Sequence, residues 1–151
     1  MIKIITVGAI KEKYLKEAIE DYTKRIFKYT NINIIEVKDE GLVEEGKAIL
    51  LEAEKIKKHL NPKDYIIAME IDGKNFSSVE FAEKIDKILI IKSNITFIIG
   101  GSYGLSDEIK KLSNLKLSFS KMTFPHQLFR IMLLEQIYRT YKINNNERYH
   151  K

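Results

Sequence analysis

The chain has 151 residues, of which 44% are hydrophobic and 31% charged; it has no cysteine and carries a net charge of +5. These values describe one globular domain able to bury a core, and they exclude disulfides, a cysteine nucleophile and thiolate metal sites. No apolar run approaches the ~18 residues of a membrane span, and the apolar start is too short for a signal sequence, so a cytoplasmic protein is expected. Residues 1–7 are β-branched and apolar, which predicts a buried first strand ending at Gly8. In 11–28, Tyr14, Ala18, Tyr22 and Ile26 recur at steps of four beside Leu15 and Ile19, giving one apolar helix face. Residues 32–37 read as a second strand and 42–60 as a second amphipathic helix, stopped by Asn61-Pro62. A third strand is placed at 65–71 and closed by an Asp72-Gly73 turn; Ser77 or Ser78 then caps a helix over 79–90. Residues 95–99 are almost wholly apolar, as a central strand covered on both faces should be. Gly100-Gly101-Ser102-Tyr103-Gly104 leads into a short helix with Ser106 as its N-cap, and 115–117 form a fifth strand.

Strands alternating with helices give a single α/β domain over 1–151, with a mainly parallel sheet and helices on both faces. The last helix, 127–141, is apolar over well over half its circumference, more than one side of a sheet can cover, which predicts a homodimer. Asn144-Asn145-Asn146 marks a turn, and 147–151 has the default reading of a frayed end.

The charge is uneven. Residues 1–75 hold 14 basic and 14 acidic residues, whereas from Lys110 onward there are nine basic residues against Glu135 and Glu147. A basic C-terminal segment suits a polyanion such as RNA, although a merely solvated basic surface has the same composition. The glycine turn matches neither a dinucleotide fingerprint nor a P-loop, so nucleotide-cofactor readings are weak and a tight ligand-free turn is the simpler one. The segment 117–126 leaves a strand and feeds a helix, the place where α/β proteins put ligands. His126 opens that helix and Arg130 follows one turn later, a pair that could accept a proton and hold an anion, or simply cap the helix and pair with a carboxylate. His59, His126 and His150 are scattered without an acidic cluster, so no metal site is expected. Tyr149, His150 and their basic neighbours combine a stacking ring with cations.

Taken together, Ile98 to Leu105, Leu117 to His126, Arg130, Glu135-Gln136-Ile137-Tyr138-Arg139 and Tyr149-His150 resemble the RlmH family. These are 23S rRNA pseudouridine N3-methyltransferases of the SPOUT superfamily. Val7-Gly8, 10–14, Ile35-Glu36-Val37 and Gly73-Lys74 agree, so the resemblance spans the chain; Ala9, where a lysine is common, and a short segment at 40–45 depart from it. The resemblance implies a deep C-terminal trefoil knot, a homodimer, S-adenosylmethionine as methyl donor, and a substrate within the ribosome. It places cofactor contacts at Met69, Gly100 and the loop Phe119, Ser120, Lys121, Met122, Thr123 and Phe124. His126 and His150 compete for the role of base, with Arg130, Arg139 and Arg148 as candidate cations and Tyr149 beside them. The tail can cross to the partner, so each site is expected to combine one subunit's knot with the other's Tyr149-His150. A non-catalytic RNA-binding protein is the alternative class.

Overall fold

The structure, a computed structural model, describes all 151 residues. In chain order its elements are β1 (Ile2–Val7), α1 (Lys13–Ile26), β2 (Ile32–Val37), α2 (Glu45–Lys57), β3 (Tyr65–Asn75), α3 (Ser78–Ile91), β4 (Ile95–Ile99), α4 (Asp107–Leu112), β5 (Leu115–Ser118) and α5 (His126–Asn144). The five strands form one sheet in the order β2-β1-β4-β3-β5, and every pairing is parallel. β4 lies between β1 and β3, and all five of its residues are buried, as its almost wholly apolar run requires; the one hydroxyl, on Thr96, donates to Asp64.

Alternating strand residues serve opposite faces. Ile2, Ile4, Ile67, Met69, Phe97 and Ile99 pack with α1, α3 and α5, around Ile26, Phe81, Leu133, Leu134 and Ile137. Ile5, Val7, Ile66, Ala68 and Ile98 pack with α2 and α4, around Ala53, Ile56 and Ile109. The three-layer architecture therefore follows from two separate apolar stripes in β1, β3 and β4. No helix is long and apolar enough to cross a membrane.

Helix ends follow local chemistry. Ser77 caps α3 in a full capping box: its side chain accepts from Glu80 N–H, and the Glu80 carboxylate accepts from Ser77 N–H. Ser77→Ala is expected to cost about 1 kcal/mol of stability, measurable by urea unfolding. Ser106 caps α4 through Ile109 N–H.

Two readings of the sequence differ from the structure. Asp72-Gly73 does not close β3. The strand continues to Asn75, and Leu117 of β5 pairs with both Met69 and Lys74 across an irregularity in register. The second half of β3 thus wraps against β5, and a Cβ on Gly73 would stand 2.8 Å from the backbone of Lys116 and Leu117. A dipeptide that favours turns is used here for close approach to a neighbouring strand. The tail is not frayed either. Tyr29 Oη and Lys142 Nζ donate to the two Glu147 oxygens at 2.8 and 2.6 Å, and Tyr149 packs edge-on against Tyr138 at 4.9 Å between centroids. The half-buried ring and the exposed acid are held by Tyr138 and Lys142 of α5 and by Tyr29 just beyond α1, which gives the terminus more to bind than composition suggests.

α5 lies on the sheet with α1 and α3 packed on either side of it. Those flanking helices cover much of the apolar circumference that the sequence assigned to a second copy. Leu128 nevertheless remains 43% exposed.

Candidate active site

Three segments converge at the C-terminal ends of the strands, where open parallel sheets hold ligands. They are the end of β3 from Met69 to Asp72, the glycine turn after β4, and the loop between β5 and α5. Together they line a cleft of about 480 Å³. Its apolar surfaces come from Met69, Ile99, Leu117, Phe119, Phe124 and Phe129. Phe119 and Phe129 stack obliquely at 5.1 Å, which anchors the loop to the first turns of α5. At Gly100 a Cβ would meet the Gly104 carbonyl carbon at 2.7 Å and its oxygen at 2.8 Å, so only glycine lets the turn close on itself.

The charges lining the cleft are Glu45, Glu70, Asp72 and Lys110, and Lys110 Nζ is paired with Glu70 at 3.2 Å. The cleft therefore presents backbone, aromatic surface and carboxylates, with no free cation for a phosphate. Such a lining fits a ligand that bears positive charge and apolar surface, as a sulfonium-bearing adenosine derivative does, and does not fit a nucleoside triphosphate.

His126 opens α5 and lines the same cleft. Its Nε2 lies 3.4 Å from the point a Cβ on Gly8 would occupy, and Gly8 itself has φ +91°. Arg130, one turn on, is 1% exposed. Its Nη1 donates to Glu36 Oε2 at 2.7 Å, and its Nη2 donates to Thr6 Oγ1 at 2.9 Å and to the Gly8 carbonyl at 3.0 Å. Burying a guanidinium costs several kcal/mol, and these bonds are what offset it. Glu36 also accepts from Ile10 N–H at 2.9 Å. Partial burial pushes the Glu36 carboxyl up, but the bonds from Arg130 and Ile10 outweigh it and hold its pKa below the ordinary value. A depressed carboxyl contributes stability that is present above its unfolded pKa and lost as pH falls through its folded one. Acidification below about pH 4 is therefore expected to destabilise the wild type more steeply than Glu36→Gln, as read from thermal unfolding across pH.

A second group sits farther along α5. Glu135 accepts from Arg139 Nη2 at 2.7 Å and from Tyr149 Oη at 3.2 Å, and the Arg139 guanidinium lies 4.8 Å over the Tyr149 ring. Arg139 Nη1 also meets His150 Nδ1 at 3.0 Å. Arginine has no acceptor, so Nδ1 takes that bond on its lone pair and the ring proton sits on Nε2. Thirteen residues separate His126 from Arg139, about 20 Å along the helix.

A family model described as "Predicted SPOUT methyltransferase" matches residues 1–150. The chain belongs to the SPOUT methyltransferase family. A ribosomal RNA large subunit methyltransferase H of Clostridium acetobutylicum is 50% identical, with 99% of each chain covered. Its counterpart in Caldicellulosiruptor saccharolyticus is also 50% identical, over 100% of both chains. Among solved structures, the tRNA (m1G37) methyltransferase of Aquifex aeolicus shares the fold. Its TM-score is 0.53 at 12% identity, and the match covers 91% of this chain and 69% of that one.

Within this SPOUT methyltransferase, Met69, Gly100, Phe119, Ser120, Met122, Thr123, Phe124 and His126 meet in one cleft. Lys121 belongs to the same loop, but its exposed side chain is not among the lining groups. Arg130 stands beneath His126 with its Nη atoms engaged inside the protein. Arg139, Tyr149 and His150 form their own cluster and are not among the residues lining the cleft. Reading the sequence missed Glu36 and Thr6, which approach Arg130 from 94 and 124 residues away and leave no local signal. It also gave Glu135 no role, although the Glu135–Arg139 spacing is the i,i+4 pairing of a helix face.

Proposed function

We propose that this protein transfers a methyl group from S-adenosylmethionine to N3 of a pseudouridine in 23S rRNA, on the assembled ribosome in the cytoplasm. The observation that supports this best is the cleft itself. The loop 119–124, Gly100 and Met69 converge there around apolar walls and carboxylates, with no free cation to bind phosphate. S-adenosylmethionine held by Met69, Gly100 and the 119–124 loop would supply an electrophilic methyl group on a positively charged sulfur, with the thioether as leaving group for attack by N3. The protein has to align the reactants and remove the N3 proton. His126 takes the proton, because it is the histidine that lines the cleft.

The functional unit in this reading is a homodimer. Arg139 lies about 20 Å from His126 along α5, and His150 and Tyr149 are bonded to the Arg139–Glu135 pair, so in this reading the three serve a site across an interface. Each site would join one subunit's cleft to the other's tail. The C-terminal knot belongs to the same reading and rests on the family resemblance.

Calorimetric titration with S-adenosylmethionine tests the proposal. The wild type should bind saturably and Gly100→Leu should not, and both should stay folded by circular dichroism. A wild type that binds neither alone nor with ribosomes present would end the methyltransferase reading. For the shared site, mixing Gly100→Leu with His150→Ala subunits should restore activity in the hybrid dimers. Two inactive parents that give only inactive mixtures would show that the tail serves its own subunit.

A further inference from the structure

Arg130 is a cation one turn from the proposed base, yet its Nη atoms are turned inward and the side chain is 1% exposed. It is therefore not placed to touch a substrate. Its bonds instead join four parts of the chain: the first turn of α5, Thr6 at the end of β1, the Gly8 carbonyl just beyond it, and Glu36 on β2. Glu36 extends the connection by accepting from Ile10 N–H in the segment that leads to α1. His126 approaches the same residue, with Nε2 3.4 Å from where a Cβ on Gly8 would be. Gly8 is thus bonded by Arg130 and neighboured by His126.

We infer that Glu36, Arg130 and Thr6 form a positioning clamp that sets His126 in the cleft by fixing the Gly8 turn against the start of α5. This rests on the proposed role of His126 as proton acceptor. The physical reason is geometric. Proton transfer needs hydrogen-bond distance, and a displacement of about 1 Å at a reacting group can cost about 10²-fold in rate. A guanidinium with two separated Nη donors locks both distance and angle between helix and strand, which a single apolar contact cannot do. The Thr6 hydroxyl is the most local component. It is fully buried, and its acceptor oxygen can be removed without changing side-chain shape.

The test uses Thr6→Val, which keeps the β-branched shape and removes the acceptor, and Thr6→Ser, which keeps the acceptor. In the full-length protein, Thr6→Val should lower kcat on ribosomes by about tenfold or more. S-adenosylmethionine affinity should stay near wild type, and the NMR signals of the His126 ring should move. Thr6→Ser should restore both rate and ring signals. A folded Thr6→Val with wild-type kcat and unmoved His126 signals would overturn the clamp. Should Thr6→Val fail to fold, Glu36→Asp decides, since it keeps the charge and shortens the reach by one methylene; unchanged rate and ring signals there would equally overturn it. The ring signals need no turnover, so they test the clamp even if the wild type methylates nothing, a result that would count against the proposed function alone.

Discussion

Replacing His126 by asparagine is expected to slow ribosome methylation by about 10²- to 10⁴-fold, the usual contribution of a positioned general base. Asparagine keeps a polar side chain of similar reach at the start of α5 but cannot take a proton. His126 is the sole histidine among the residues lining the cleft, and histidine is the side chain that ordinarily changes charge near pH 7. The loss should fall on kcat. Cofactor affinity should change little, because the walls of the cleft come from Met69, Gly100 and the 119–124 loop. Single-turnover kinetics with saturating cofactor would measure it. A variant that keeps the wild-type rate would remove His126 from the proton-transfer step and return the role to His150.

Gly73→Ala is expected to destabilise the protein by about 3 kcal/mol, near the upper end for overpacking against atoms that cannot yield. The added Cβ would lie 2.8 Å from three backbone atoms of Lys116 and Leu117. A flexible side chain could swing aside; a strand paired with β3 on both sides of an irregularity cannot. Urea unfolding gives the magnitude. β5 feeds directly into the loop that lines the cleft, so the same substitution should weaken S-adenosylmethionine binding in whatever fraction folds. Gly46→Ala supplies the contrast. Nothing stands within 4 Å of its would-be Cβ on α2, and replacing a helical glycine there should stabilise by up to about 1 kcal/mol. Equal effects at Gly73 and Gly46 would show that helix and chain entropy, and not the contact with β5, governs both sites.

Much of the scaffold was legible in the order of residues. The almost wholly apolar stretch Ile95–Ile99 predicted a central strand, and it is one, with every residue buried. The Ser77-Ser78 pair and Ser106 announced two helix starts, with Ser77 the cap of the first, because a capping side chain reaches only its own backbone neighbours. The cleft was legible in part for the same reason: a strand, a loop and a helix in sequence bring 117–126 to one end of the sheet. The family resemblance added Met69, which no motif singled out, and turned the weak glycine-turn signal at Gly100 into an expected cofactor contact.

What the order of residues left open were the contacts between distant segments. Near-continuous apolar runs in β1, β3 and β4 determined that those strands are buried on both faces, and hence that helices lie on both sides of the sheet. It could not say that Gly73 faces a backbone rather than makes a turn, or that α1 and α3 flank α5 and cover much of its apolar surface. Nor could it distinguish an Arg130 that reads a substrate from one held by Thr6, Gly8 and Glu36. Periodicity and capping act within one helical turn or one strand, so they can be read along the chain. The partners of a buried charge and the steric need for a glycine depend on which segments, about a hundred residues apart here, come within 3 Å, and only the tertiary structure decides that.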